Sequence, residues 1–182
     1  MKLNLYKYRI AYDVDGVLLN FWKAASKEAG FPSVRFVSSW MISKKWFSDV
    51  WNKIKKDKDF WSTLPILNFP SDISTHVTMY ITAMPKLMEK ARIYNLFVYH
   101  SFPRAPVVVS YDKLAAVIEN DIDFIIDDKE ATVRLINDAY DRGETKCRAL
   151  KYCPYYLDEE PTIWDLHDLS KVGEKLQELK WI

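Results

Sequence analysis

Five short runs rich in β-branched and aromatic residues punctuate the chain, at residues 9–14, 77–82, 106–110, 124–127 and 147–152. Stretches of helical periodicity separate the later ones. One opens at Pro85 and continues through KLMEKARIYNLF, one covers 130–142 and stops at Gly143, and one is carried to the C-terminal end by Leu166, Leu169, Val172, Leu176 and Leu179. Proline suits a first helical turn, where its missing N–H would be unbonded anyway, and glycine suits a helix end because it tolerates left-handed backbone. Strands that alternate with helices pair in parallel, since a parallel neighbour is reached only through a crossover connection. The pattern predicts an α/β fold built on a parallel sheet.

One segment breaks the alternation. Residues 19–70 hold no convincing strand, but they carry helical spacing at Phe47, Trp51 and Ile54 and five of the seven tryptophans. The expectation is a small helical insertion after the first strand, with residues 1–18 and 71–182 forming the core. A helical unit of that size needs bulky side chains to make any interior, so Trp40, Trp46 and Trp51 read mainly as packing. The lysine-rich stretch KIKKDK at 53–58 reads as a solvated face, because the charges around it are mixed.

Charge excludes several roles. With 26 basic and 25 acidic residues the net charge is +1, so no global field recruits a nucleic-acid polymer or a membrane surface, and any anionic ligand must be met locally. No apolar run approaches the ~20 residues of a membrane helix, and Asp13 interrupts the N-terminal segment before a signal-like apolar stretch can form, which points to a cytoplasmic protein. Cys147 and Cys153 have no nearby histidine pair to complete a zinc site and read as reduced thiols. Nothing in the sequence fixes an oligomeric state.

The chemistry concentrates where strands end. YRIAYDVDGVLLNF, residues 8–21, runs an apolar strand into Asp13, Asp15 and Gly16. A calcium loop would need further acidic positions and a terminal glutamate, and a helix before it instead of a strand. MYITAMP ends its apolar run on Thr82, VVVSYDKL ends on Asp112 and Lys113, and FIIDDKEA ends on Asp127 and Asp128. In an open α/β sheet the carboxyl ends of strands are where ligands bind, so four strands delivering polar groups to one edge describe a site.

DVDGV, the threonine of YITA, the lysine of SYDK and the acidic pair of FIIDD together resemble the four motifs of the haloacid dehalogenase-like (HAD) phosphohydrolases. DVDGVLLNF, DKDFWSTLPIL, VVVSYDKL and FIIDDKEA are similar to the monophosphate nucleotidase branch that includes the 5'(3')-deoxyribonucleotidases. The resemblance implies a Rossmann-like core with a parallel sheet and a small helical cap, and a Mg²⁺-dependent phosphatase acting on a small phosphorylated metabolite, foremost a nucleoside 5'-monophosphate. The alternatives are a phosphatase for a non-nucleotide metabolite such as a sugar phosphate, and a catalytically silent binding protein of the same fold. Under the resemblance, Asp13 is the nucleophile that becomes an aspartyl-phosphate, and Asp15 is the acid and base. Asp13, Asp127 and the backbone carbonyl of Asp15 hold Mg²⁺. Thr82 and Lys113 bind the phosphoryl group, and Asp128 orients the lysine or a metal-bound water. Phe21, with Trp61 second, is the candidate for stacking on a base. Ala83 and Tyr111 stand where the nucleotidases tend to carry serine and arginine, which removes polar groups that could read phosphate or sugar.

Overall fold

The computed structural model describes residues 5–30, 44–73, 77–153 and 162–182, with the backbone alone described at 44–47. Trp40 lies outside the described residues, as do the side chains of Trp46 and Phe47. Six strands, β1 (Ile10–Tyr12), β2 (Met79–Thr82), β3 (Val107–Val109), β4 (Phe124–Asp127), β5 (Arg148–Tyr152) and β6 (Asp165–Leu166), form one sheet in the order β3-β2-β1-β4-β5-β6. Every pairing is parallel. This is a Rossmann-like α/β arrangement. The chain builds outward from β1 to β3, then returns to start the other half at β4, so the strand order reverses between β1 and β4.

Side-chain alternation explains the layers. Ile10, Tyr12, Tyr80, Phe124, Ile126 and Leu150 enter one core cluster, while Ala11, Met79, Ile81, Ile125 and Ala149 enter the other. The second cluster is completed by Ala116 and Val117 of α5 (Lys113–Glu119) and by Val133 and Ile136 of α6 (Glu130–Asp141). On the opposite face lie Val172 and Leu176 of α7 (Val172–Glu178) and Leu96, from the π-helical turn Asn95–Tyr99 that continues α4 (Glu89–Tyr94). Both faces are covered, which is why the strands read as nearly continuous apolar runs.

Between β1 and β2 the described residues form three helices, α1 (Phe21–Glu28), α2 (Lys44–Ile54) and α3 (Lys58–Ser62). Asp57 caps α3, its Oδ1 accepting from the amides of Asp59 and Phe60. Ile54 of the lysine-rich stretch is buried, and Lys53, Lys56 and Lys58 are exposed as a solvated face should be. The segment closes back on its own start: the Asn20 amide donates to the Pro65 carbonyl at 2.8 Å and the Leu67 amide to the Leu18 carbonyl at 2.8 Å.

The C-terminal periodicity resolves differently from expectation. Leu166 is a strand residue, paired with Tyr152 at the sheet edge, and Asp168 then caps a 3-10 turn at Leu169–Lys171 before α7 begins. Parallel pairing captures the first leucine of a pattern that spacing alone assigns to a helix.

Candidate functional site

β1 and β4 run side by side with Tyr12 opposite Ile126, and the Asp13 amide donates to the Ile126 carbonyl at 2.8 Å, so Asp13 continues the ladder beside Asp127. By alternation both side chains follow Ala11 and Ile125 toward the α5 and α6 face. Lys113 is the first residue of α5, whose start is fixed by Asp112 Oδ1 accepting from the Ala115 amide at 2.9 Å. Its Nζ lies 2.6 Å from Asp13 Oδ2 and 2.6 Å from Asp127 Oδ2, and all three side chains are nearly buried. Asp127 Oδ1 accepts from the Lys129 amide at 2.8 Å.

Asp128, expected to orient the lysine or a metal-bound water, lies at the acidic cluster. Its carboxylate stands with those of Asp13 and Asp127, one oxygen from each lying within 4.8 Å of the others. Gly16 makes room for it. A Cβ on Gly16 would meet Asp128 Oδ2 at 2.0 Å, and the residue sits at φ +88°, a conformation side chains other than glycine resist.

A second half of the site lies on the insertion side. Asp15 is not part of the three-carboxylate cluster. Both of its oxygens accept from Arg92 Nη2, at 2.6 and 2.8 Å, and Thr82 Oγ1 donates to Oδ2 at 3.4 Å. Arg92, on α4, is fully buried, whereas the Asp15 side chain keeps 17% of its surface open. Ala83, next to Thr82, is exposed, as is Tyr111.

Phe21 and Trp61 are buried against each other, with ring centroids 5.8 Å apart and planes inclined by 28°. Phe60 and Trp22 add edge contacts to Phe21, Trp51 meets Trp61 edge-on, and the Trp61 indole N–H donates to the Ile54 carbonyl at 2.8 Å. These contacts account for the burial of both rings without a ligand ring between them.

The electrostatics are one-sided. Asp13, Asp15, Asp127 and Asp128 converge at one edge, and the ion pairs described there set two cations against them, Lys113 and Arg92. Burial pushes Asp13, Asp15 and Asp128 above the ordinary carboxylate range, with neighbouring carboxylates adding to the effect at Asp13 and Asp128. Lys113 opposes the shift at Asp13, and Arg92 opposes it at Asp15. Burial pulls the Lys113 ammonium down, yet Asp127 and Asp13 outweigh it and hold it charged. An all-oxygen cluster carrying excess negative charge has the donor chemistry of a hard divalent cation such as Mg²⁺.

The chain matches no family model and no curated protein, so its site is read from its own residues. Asp13, Asp15, Thr82, Lys113, Asp127 and Asp128, picked from strand ends, all come together. Arg92 was missed. Its sequence signal is one basic residue in the helical stretch MEKARIYNLF, where Lys90 is as prominent, so nothing singles it out.

Proposed function

We propose that the chain is a Mg²⁺-dependent phosphatase of the haloacid dehalogenase-like type, hydrolysing a small phosphate monoester, foremost a nucleoside 5'-monophosphate. The observation that carries this reading is Lys113 bridging Asp13 and Asp127 at 2.6 Å each, at the edge where the strand order reverses, with Asp128 completing an acidic cluster. Asp13 and Asp127, with the Asp15 carbonyl, would hold Mg²⁺, which when bound offsets the charge of the phosphate that carboxylates would otherwise repel. Asp128 adds a further oxygen within the same cluster.

The steps belong to the side chains. An Asp13 oxygen bonds to phosphorus as the bond from phosphorus to the alcohol oxygen breaks, and Asp15 gives its proton to the departing oxygen. Water then attacks phosphorus as the bond from phosphorus to the Asp13 oxygen breaks, Asp15 takes a proton from that water, and Asp13 is freed with inorganic phosphate. Lys113 holds Asp13 in place and balances charge on the phosphoryl oxygens, while the buried Thr82 hydroxyl lies on the Asp15 side of the site.

Phosphate release from p-nitrophenyl phosphate, nucleoside 5'- and 3'-monophosphates and sugar phosphates tests this. Hydrolysis should require Mg²⁺, stop on addition of EDTA, and disappear in Asp13→Asn with the fold intact. A folded wild type inert toward all of these with Mg²⁺ present would overturn the reading in favour of a silent binding protein. Preference among the active substrates would separate a nucleotide from a sugar phosphate.

A further inference from the structure

A buried arginine behind the proposed acid and base has no evident purpose in holding the fold together. Arg92 is fully buried, yet among the described residues Nη2 alone of its nitrogens is hydrogen-bonded, and Nε and Nη1 have no partner there. A buried ion pair is on average no more stabilising than apolar residues of the same shape, and unbonded buried N–H groups add cost. Stability alone therefore favours an apolar residue at this position.

What Arg92 does fix is Asp15. The carboxylate sits in the loop after β1 with one side toward the open edge, and Arg92 closes the other side. The guanidinium in turn lies 5.2 Å over the Trp61 ring, and that ring is tied through its N–H to the Ile54 carbonyl at 2.8 Å. One helical turn on, Asn95 Nδ2 donates to the carbonyls of Ser62 and Leu64, at 2.9 and 3.3 Å, and so clamps α4 to the end of α3. A continuous series of contacts thus runs from the insertion to the Asp15 oxygens.

We propose that Arg92 is a positioning residue: backed by Trp61, it holds the Asp15 carboxylate at the angle from which a proton reaches the leaving oxygen. This rests on the phosphatase reading above, in which Asp15 protonates that oxygen as its bond to phosphorus breaks. It also gives the buried aromatic cluster a task at the site other than contact with substrate. A carboxylate freed to rotate would reach the oxygen in fewer encounters, while Asp13, Lys113 and the acidic cluster, held by other contacts, would be unaffected.

Leaving groups separate this from a structural role. p-Nitrophenol departs with little help from a proton, whereas phenol, of similar size, needs one. First-turnover alcohol release by the purified full chain would be followed for p-nitrophenyl phosphate and phenyl phosphate, in the wild type, Arg92→Lys and Arg92→Gln, with thermal melts as a fold control. Loss of an acid contribution predicts that phenol release falls about tenfold to a hundredfold more than p-nitrophenol release in Arg92→Gln, at similar KM, with Arg92→Lys intermediate. Equal losses on both substrates, no loss on either, or failure of both variants to fold would overturn the proposal by making Arg92 a packing or stability residue. A wild type inert on both substrates would instead bring down the phosphatase reading beneath it.

Discussion

Gly16 sits at φ +88° with Asp128 in the space a Cβ would need, so two separate costs meet at one residue. Gly16→Ala should therefore destabilise the protein by about 1–3 kcal/mol, the range for a non-glycine side chain held in such backbone, as read from chemical denaturation. In an Asp128→Ala background the collision is relieved and the backbone cost persists, so the loss should shrink without vanishing. At Asp15, substitution by Asn keeps the shape and cannot move a proton, so turnover should fall by about 10²–10⁴. Trapping of phosphorylated enzyme in that variant would place the defect at the proton-transfer step, and unchanged turnover would remove Asp15 from the mechanism. The aspartates, Thr82 and Lys113 were legible because each closes a local apolar run, and strand ends share one edge in a parallel sheet. Arg92 was not, because its partner lies 77 positions earlier and its burial is decided by Asp15 and Trp61 rather than by its neighbours in sequence.

Helix α1 and helix α3 meet through aromatic rings, and this contact decides how Phe21 should be read. The ring is 6% exposed and packed against Trp61, Phe60 and Trp22. Phe21→Ala should cost about 3–5 kcal/mol in stability, as for other large-to-small changes in a core. It should slow p-nitrophenyl phosphate and nucleotide hydrolysis alike, since a loosened insertion disturbs the Asp15 side whatever the substrate. A loss confined to nucleotides would return the ring to base contact. The same logic shows which elements the sequence could carry. β4 was legible to the residue, Phe124–Asp127, because its apolar run is bounded by polar turn residues on both sides. β6 was hidden, because two residues at a sheet edge carry no period of their own and Leu166 fits the helical spacing that follows it.

Across the whole molecule basic and acidic residues nearly cancel, so the crowding of Asp13, Asp15, Asp127 and Asp128 against Lys113 and Arg92 is a local imbalance in a balanced chain. Its sign predicts an unusual pH response in the metal-free protein. Burial raises Asp13 to about 7, and Asp15 and Asp128 are raised with it. A carboxyl whose folded value lies above its unfolded one binds more protons when folded, so the stability it contributes is complete below about pH 4 and is lost as pH rises through the folded value. The melting temperature of the EDTA-treated protein should therefore fall between about pH 5 and about pH 8, where the salt-bridged carboxylates of most proteins add stability instead. A divalent cation bound there, as proposed, would supply the missing charge to the same carboxylates and compete with their protons. Mg²⁺ at a hundred times its dissociation constant near pH 8 should add about 2.7 kcal/mol, and the same concentration should add less near pH 5, where protons compete for the carboxylates. Asp127→Asn removes one of the three clustered carboxylates and should abolish most of that gain while weakening the pH trend. Thermal melts with EDTA or Mg²⁺ at the two pH values read all of this in one experiment. A chelated protein that becomes more stable as pH rises, or one indifferent to Mg²⁺ near pH 8, would mean that the acidic cluster is balanced by the fold itself and does not hold a cation.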